Sequence, residues 1–138
     1  MLRVGMVGWR GMVGSVLLDR MQSEGDFAHI EPTFFSTSNA GGDAPALGQA
    51  GGESKLMDAA DLAALARMDV VLTCQGGDWT QAIYPQLRAA GWRGIWIDAA
   101  STLRMRDHAL IVLDPVNREV IDAGLKAGVR DFIGGNCT

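Results

Sequence analysis

Leu2-Arg3-Val4-Gly5-Met6-Val7 followed by Gly8-Trp9-Arg10-Gly11-Met12-Val13-Gly14 decides how the chain is read. A short apolar run ends in glycines that recur every third residue, and a helical pattern begins at once. In a strand–loop–helix unit the first such glycine allows a tight turn. The second lets the backbone approach a pyrophosphate, and the third lets the helix pack on the strand. The helix N-terminus adds N–H groups and partial positive charge. Gly8, Gly11 and Gly14, with the loop they frame, are therefore candidates for a dinucleotide-binding turn. A helix-packing turn without a ligand is the alternative. The helix that follows is expected to bury Met12, Val13, Val16, Leu17 and Met21.

The same alternation continues outward. Strands are expected at Ile30 to Phe35, Asp69 to Thr73, Ile95 to Asp98, Leu110 to Leu113 and Asp131 to Ile133. Between them lie a short helix over Asp61 to Ala66 and a helix from Asp78 to about Ala90, closed by Gly91. A third runs from Asp114-Pro115, an N-cap and first-turn proline, to about Ala127. Asp78 with Gln81 reads as a capping box. Residues 39–54 read as a surface loop. Strands alternating with helices define an α/β fold, a Rossmann-like doubly wound, mostly parallel sheet with helices on both faces. The 138 residues are one domain's worth.

In such sheets ligands bind beyond the carboxyl ends of the strands, where the glycine turns fall. An NAD site usually has an acid at the end of the second strand, holding the ribose 2′-OH. Here Ser36-Thr37-Ser38 occupy that position. An acid would repel a 2′-phosphate, whereas Arg10 with Thr37 and Ser38 would hold it. Each charge-assisted hydrogen bond contributes roughly 1.5–3 kcal/mol, so NADP is the expected cofactor. Arg10 as a solvated surface charge is the alternative.

Thr73-Cys74-Gln75-Gly76-Gly77 is a second turn at the ligand edge. Gln75 is a candidate cofactor contact, and Cys74 reads as a small apolar residue. Arg104 follows a third edge strand, where a guanidinium suits a carboxylate or phosphate and is equally at home as a surface charge. Gly134-Gly135-Asn136-Cys137-Thr138 closes the chain. Spacing alone leaves Cys137 open between nucleophile and structural thiol. His29 and His108, the only histidines, fall outside the glycine turns and read as surface residues.

The net charge of −4 argues against nucleic acid or an anionic membrane as partner. No apolar run approaches the ~20 residues of a membrane helix. The N-terminus has no signal-peptide pattern, and two unrelated cysteines make neither a disulfide framework nor a zinc site. A cytoplasmic protein without a bound metal is expected.

Taken together GWRGMVGSVL, FFSTS, TCQGGDW, WIDAASTLRM, LDPVN and GGNCT resemble the aspartate-β-semialdehyde dehydrogenase family, in the form found in Gram-negative bacteria. The resemblance covers the whole chain in order. It implies NADP-dependent reductive dephosphorylation of L-aspartyl-4-phosphate to L-aspartate-4-semialdehyde. That step feeds lysine, methionine, threonine, isoleucine and diaminopimelate synthesis. It further implies that Cys137 is the nucleophile that carries the acyl group as a thioester. Arg104 would recognise phosphate, and Asn136 would help hold the reacting acyl group. Arg10, Gly11, Met12, Val13, Thr37, Ser38 and Gln75 would contact NADP. Family members continue for more than another domain, which carries an acid/base histidine and most of a homodimer interface. On that basis residues 1–138 are expected to be the N-terminal NADP-binding portion, inactive alone. An N-acetylglutamyl-phosphate reductase and a non-catalytic dinucleotide-binding module are the alternatives.

Overall fold

A computed structural model of the chain describes residues 1–45, 55–100, 102–103, 109–112 and 118–134. Within them the strands are β1 (Leu2–Val7), β2 (Ile30–Ser36), β3 (Met57–Asp58), β4 (Val70–Thr73), β5 (Ile95–Asp98), β6 (Ala109–Val112) and β7 (Asp131–Gly134). The helices are α1 (Met12–Ser23), α2 (Leu62–Ala66), α3 (Gly77–Ala89) and α4 (Arg118–Lys126). The strands form one sheet in the order β3-β2-β1-β4-β5-β7-β6. All six neighbour pairs are parallel. The doubly wound α/β fold is therefore observed, with every described strand ending at the same edge.

Helices cover both faces. On one, Leu17, Leu18 and Met21 of α1 pack with Val4, Met6, Phe34 and Val70. On the other, Ala64 and Leu65 of α2 and Ile83, Tyr84 and Leu87 of α3 pack around Val7, Val71, Trp96 and Ile133. Helix α4 lies against Leu110, whose register partner Phe132 alternates with Ile133 and so belongs to the α1 face.

Several expectations change. Helix α1 does not bury Met12, Val13 or Val16, which are 87%, 53% and 65% exposed. Gly14 sets the helix's rotation. A Cβ there would sit 2.0 Å from the Gly8 carbonyl oxygen, so Gly14 faces the sheet. The sheet-facing positions then follow at Leu17 and Leu18, partly buried, and at buried Met21, one helical stripe from 14. Met12, Val13 and Val16 consequently point away.

Asp78 is not an N-cap. Gly76, at φ 113°, occupies the cap position, and Gly77 is already helical, which places Asp78 inside the first turn. There its carboxylate complements the helix dipole instead. Asp61 does cap α2, accepting the Ala64 N–H at 3.1 Å. Strand β3 has no counterpart in the sequence reading. Two residues are too few to show a periodicity, and β3 exists because Phe35 and Ser36 pair with Met57 and Asp58. The expected Asp114-Pro115 helix start lies outside the described residues.

Candidate functional site

The sheet reverses its direction of winding at β1. The chain goes from β1 to β2 on one side and later fills β4 on the other. The crevice beyond β1 and β4 is thus the topological switch point, where doubly wound sheets hold ligands. Two turns meet there. Gly8 leaves β1 at φ 74°, and a Cβ on it would lie 2.3 Å from the Gln75 nitrogen in the turn after β4. Both the left-handed conformation and the contact require glycine. Gly14 is required by its contact with the Gly8 carbonyl.

Gly11 differs from both. Its φ is an ordinary −74°, and a Cβ on it would meet only the Gly8 oxygen, at 3.8 Å. Nothing among the described residues demands glycine at this position. It is the N-cap of α1 with no side-chain cap, and the first-turn amides that follow lack intrahelical acceptors. A bare backbone in front of unpaired N–H groups fits the close approach of a pyrophosphate.

Gly8, Arg10, Gly11, Thr37, Ser38 and Gln75 line one cleft of about 300 Å³, together with Trp9 and Ser36. Met12 and Val13 lie beside it in the first turn of α1, and Gly14 is buried beneath. Arg10 is not a loose surface charge. Its Nη2 donates to the Ser36 Oγ at 3.0 Å, and its guanidinium carbon lies 5.1 Å from the centroid of the Trp9 ring. Ser36 Oγ also accepts the N–H groups of Ser38 and Asn39, at 3.2 and 2.9 Å. No acid stands at the end of β2, where an NAD site usually carries one. The sequence shows the polar run after β2. It does not show that Ser36 is the hydroxyl that joins the two loops, or that Trp9 belongs to the site, because both depend on which loops meet.

At the end of β4, Thr73 Oγ1 accepts the Gln75 N–H at 3.0 Å and shapes the turn, which leaves Gln75 exposed. Cys74 is half-buried, its N–H bonded to the Val7 carbonyl oxygen. Asp98 ends β5 and is 1% exposed. Burial pushes its carboxyl above the usual carboxylate range, while the Thr80 hydroxyl, the Ala100 N–H and the Trp96 indole N–H oppose that shift. Through Ala100, Asp98 anchors the chain as it leaves β5. Arg104, Asn136, Cys137 and His108 lie outside the described residues, and His29 is exposed on the surface. Among the described residues there is no cluster of side chains able to hold a metal. None of their helices is long and apolar enough to cross a membrane.

A parallel sheet with a dinucleotide cleft at its switch point defines the class: an NAD(P)-binding domain. Residues 3–124 match the model of the semialdehyde dehydrogenase, NAD-binding domain, and the chain belongs to that family. Within it, the chain is 49% identical to an aspartate semialdehyde dehydrogenase from Francisella tularensis, with a TM-score of 0.91, and covers 99% of this chain and 37% of that one. An aspartate semialdehyde dehydrogenase II from Vibrio cholerae, complexed with ASA, is 22% identical, with a TM-score of 0.70 and coverage of 99% and 42%. One from Candida albicans, with NADP, is 17% identical, with a TM-score of 0.60 and coverage of 97% and 42%. The latter two share the fold. The chain spans less than half the length of these relatives.

Proposed function

We propose that the chain is the NADP-binding portion of an aspartate semialdehyde dehydrogenase, which converts L-aspartyl-4-phosphate to L-aspartate-4-semialdehyde with release of phosphate. The observation that carries the cofactor reading is the pairing of Gly11, a glycine that packing does not require, with an acid-free cleft holding Arg10 and Ser36. The substrate reading rests on the similarity to the Francisella enzyme. The cofactor supplies the hydride that reduces the acyl group. In this reading the Cys137 thiolate attacks the acyl phosphate and phosphate leaves, so the acyl group is held as a thioester on the sulfur. Arg104 receives the phosphate and Asn136 steadies the acyl oxygen. Cys137 follows the end of β7 by three residues, a span of at most about 11 Å. That reach is consistent with chemistry at the same edge as the cofactor cleft. The homodimer, the acid/base histidine and the cytoplasmic location belong to the same proposal. The 138-residue chain alone is expected to bind NADP and not to turn over.

Titration of the chain with NADP and NAD, followed by tryptophan fluorescence, tests the first half. NADP is expected to bind at least about tenfold more tightly, the worth of one charge-assisted contact. Gly11→Val is expected to abolish binding while lowering the melting temperature by no more than ~5 °C, since the site can hold a side chain and the loss is that of a favourable N-cap residue. Equal affinity for the two nucleotides would overturn the NADP assignment. NADP reduction with semialdehyde and phosphate tests the second half. Turnover by the 138-residue chain that persists in Cys137→Ser would remove the cysteine from the mechanism.

A further inference from the structure

We propose that Ser36 and Trp9 are positioning residues that preset the Arg10 guanidinium for the 2′-phosphate, and so set cofactor preference through the arginine. The inference rests on the NADP reading above and adds to it how Arg10 is held. An arginine at the start of a glycine loop is ordinarily a long, mobile side chain. Here two independent groups restrain it. The Trp9 ring lies 5.1 Å from the guanidinium carbon, within the range for a cation over an aromatic face. The Ser36 hydroxyl accepts from Nη2 at 3.0 Å.

Both restraints are themselves fixed. The Trp9 indole N–H donates to the Phe35 carbonyl oxygen at 3.1 Å. Its ring meets Phe34 edge-on, with centroids 5.3 Å apart and planes at 74°. Phe34 and Phe35 are 2% and 1% exposed, so Trp9 is pinned to the core end of β2. Ser36 is 5% exposed. Its oxygen accepts from Ser38 and Asn39 as well as from Arg10. One hydroxyl therefore ties the glycine loop to the loop that carries Thr37 and Ser38. The two walls of the cleft are joined before any ligand arrives, and the guanidinium need not be ordered on binding.

Ordering a free side chain weakens binding by about three- to tenfold. Ser36→Ala is thus expected to lower NADP affinity about three- to tenfold and NAD affinity by a smaller factor, because NAD has no 2′-phosphate for Arg10 to hold. Ser36→Thr, which keeps the hydroxyl, is expected to restore most of the NADP affinity. Arg10→Ala is expected to lower NADP affinity by about tenfold or more. The deciding measurement is the double-mutant cycle. In the Arg10→Ala background, Ser36→Ala is expected to lower NADP affinity by a clearly smaller factor than in the unaltered chain, because the part of its effect that passes through the arginine is gone. If Ser36→Ala loses too much stability for binding to be read, Trp9→Leu with Arg10→Ala carries the same cycle. Additive losses, or equal losses for NAD and NADP, overturn the positioning role while the NADP reading stands. If the unaltered chain shows no preference for NADP, the cofactor reading fails and this inference fails with it.

Discussion

The two edges of the sheet are built in opposite ways. At the carboxyl edge the chain is shaped by backbone. Gly8 and Gly76 take conformations at φ 74° and 113°, and Gly11 leaves open space in front of unpaired amides. At the amino edge the chain is closed by side chains. Arg88 lies against the rings of Trp92 and Tyr84, 4.6 and 5.4 Å from their centroids. It donates to Asp131 at 2.7 Å and to the carbonyl oxygens of Trp92 and Gly94. The Tyr84 hydroxyl donates to the other Asp131 oxygen at 2.5 Å, and the Trp92 indole to the Met68 carbonyl. These contacts link the starts of β4, β5 and β7 to α3. One edge keeps its donors for something from outside, and the other spends them on itself. Ligand binding and stability are thereby separated across the sheet.

The largest effect is expected for Gly14→Ala, at a place where the ligand edge also carries stability. The added carbon would stand 2.0 Å from the Gly8 oxygen and 2.7 Å from the Trp9 Cα, all backbone with no flexible end to yield. A loss of about 3 kcal/mol or more in urea unfolding is expected. A loss below about 1 kcal/mol would mean that α1 is not held at the distance its packing requires.

Asp131→Ala comes next. It strips an acceptor from Arg88 and from Tyr84 where Asp131 is 3% exposed. Removing one partner of a buried pair costs about 3–5 kcal/mol. The Arg88 side chain keeps 22% exposure and two carbonyl acceptors, so about 2–3 kcal/mol is expected. Nucleotide affinity of the folded protein is expected to be unchanged, because the sites share no partners. A parallel loss of affinity would break the separation of the edges.

The smallest effect is at alkaline pH. Burial first, and then the hydrogen bond to Asp131, push the Tyr84 phenol up from 10.0 to about 12. Below pH 10 the phenol is neutral in both the folded and unfolded chain, and its contribution is complete. Above that the unfolded chain releases the proton first, so stability falls with rising pH through about 12. Tyr84→Phe is expected to cost about 1 kcal/mol at pH 8 and to flatten this alkaline decline. An unchanged slope would assign the decline to other groups.

What the sequence determined by itself is the local grammar: strand, glycine turn, helix, repeated, with the glycines at one edge and no acid after β2. Those features act over a few residues, through φ preference and side-chain period, and can be read in order along the chain. The face that α1 buries was not legible. Met12, Val13 and Val16 have the right spacing, but the contact of Gly14 with the Gly8 carbonyl decides the rotation. Strand β3 was not legible either, since its two residues are extended only because β2 offers them partners. The Arg88–Asp131 pair joins residues 43 apart in sequence. Trp9 and Ser36 enter the cofactor cleft only because β1 and β2 are neighbours in the sheet. Contacts of that kind have no period and no motif. They are set by which strands lie side by side in the sheet, an arrangement that no local stretch of the chain encodes.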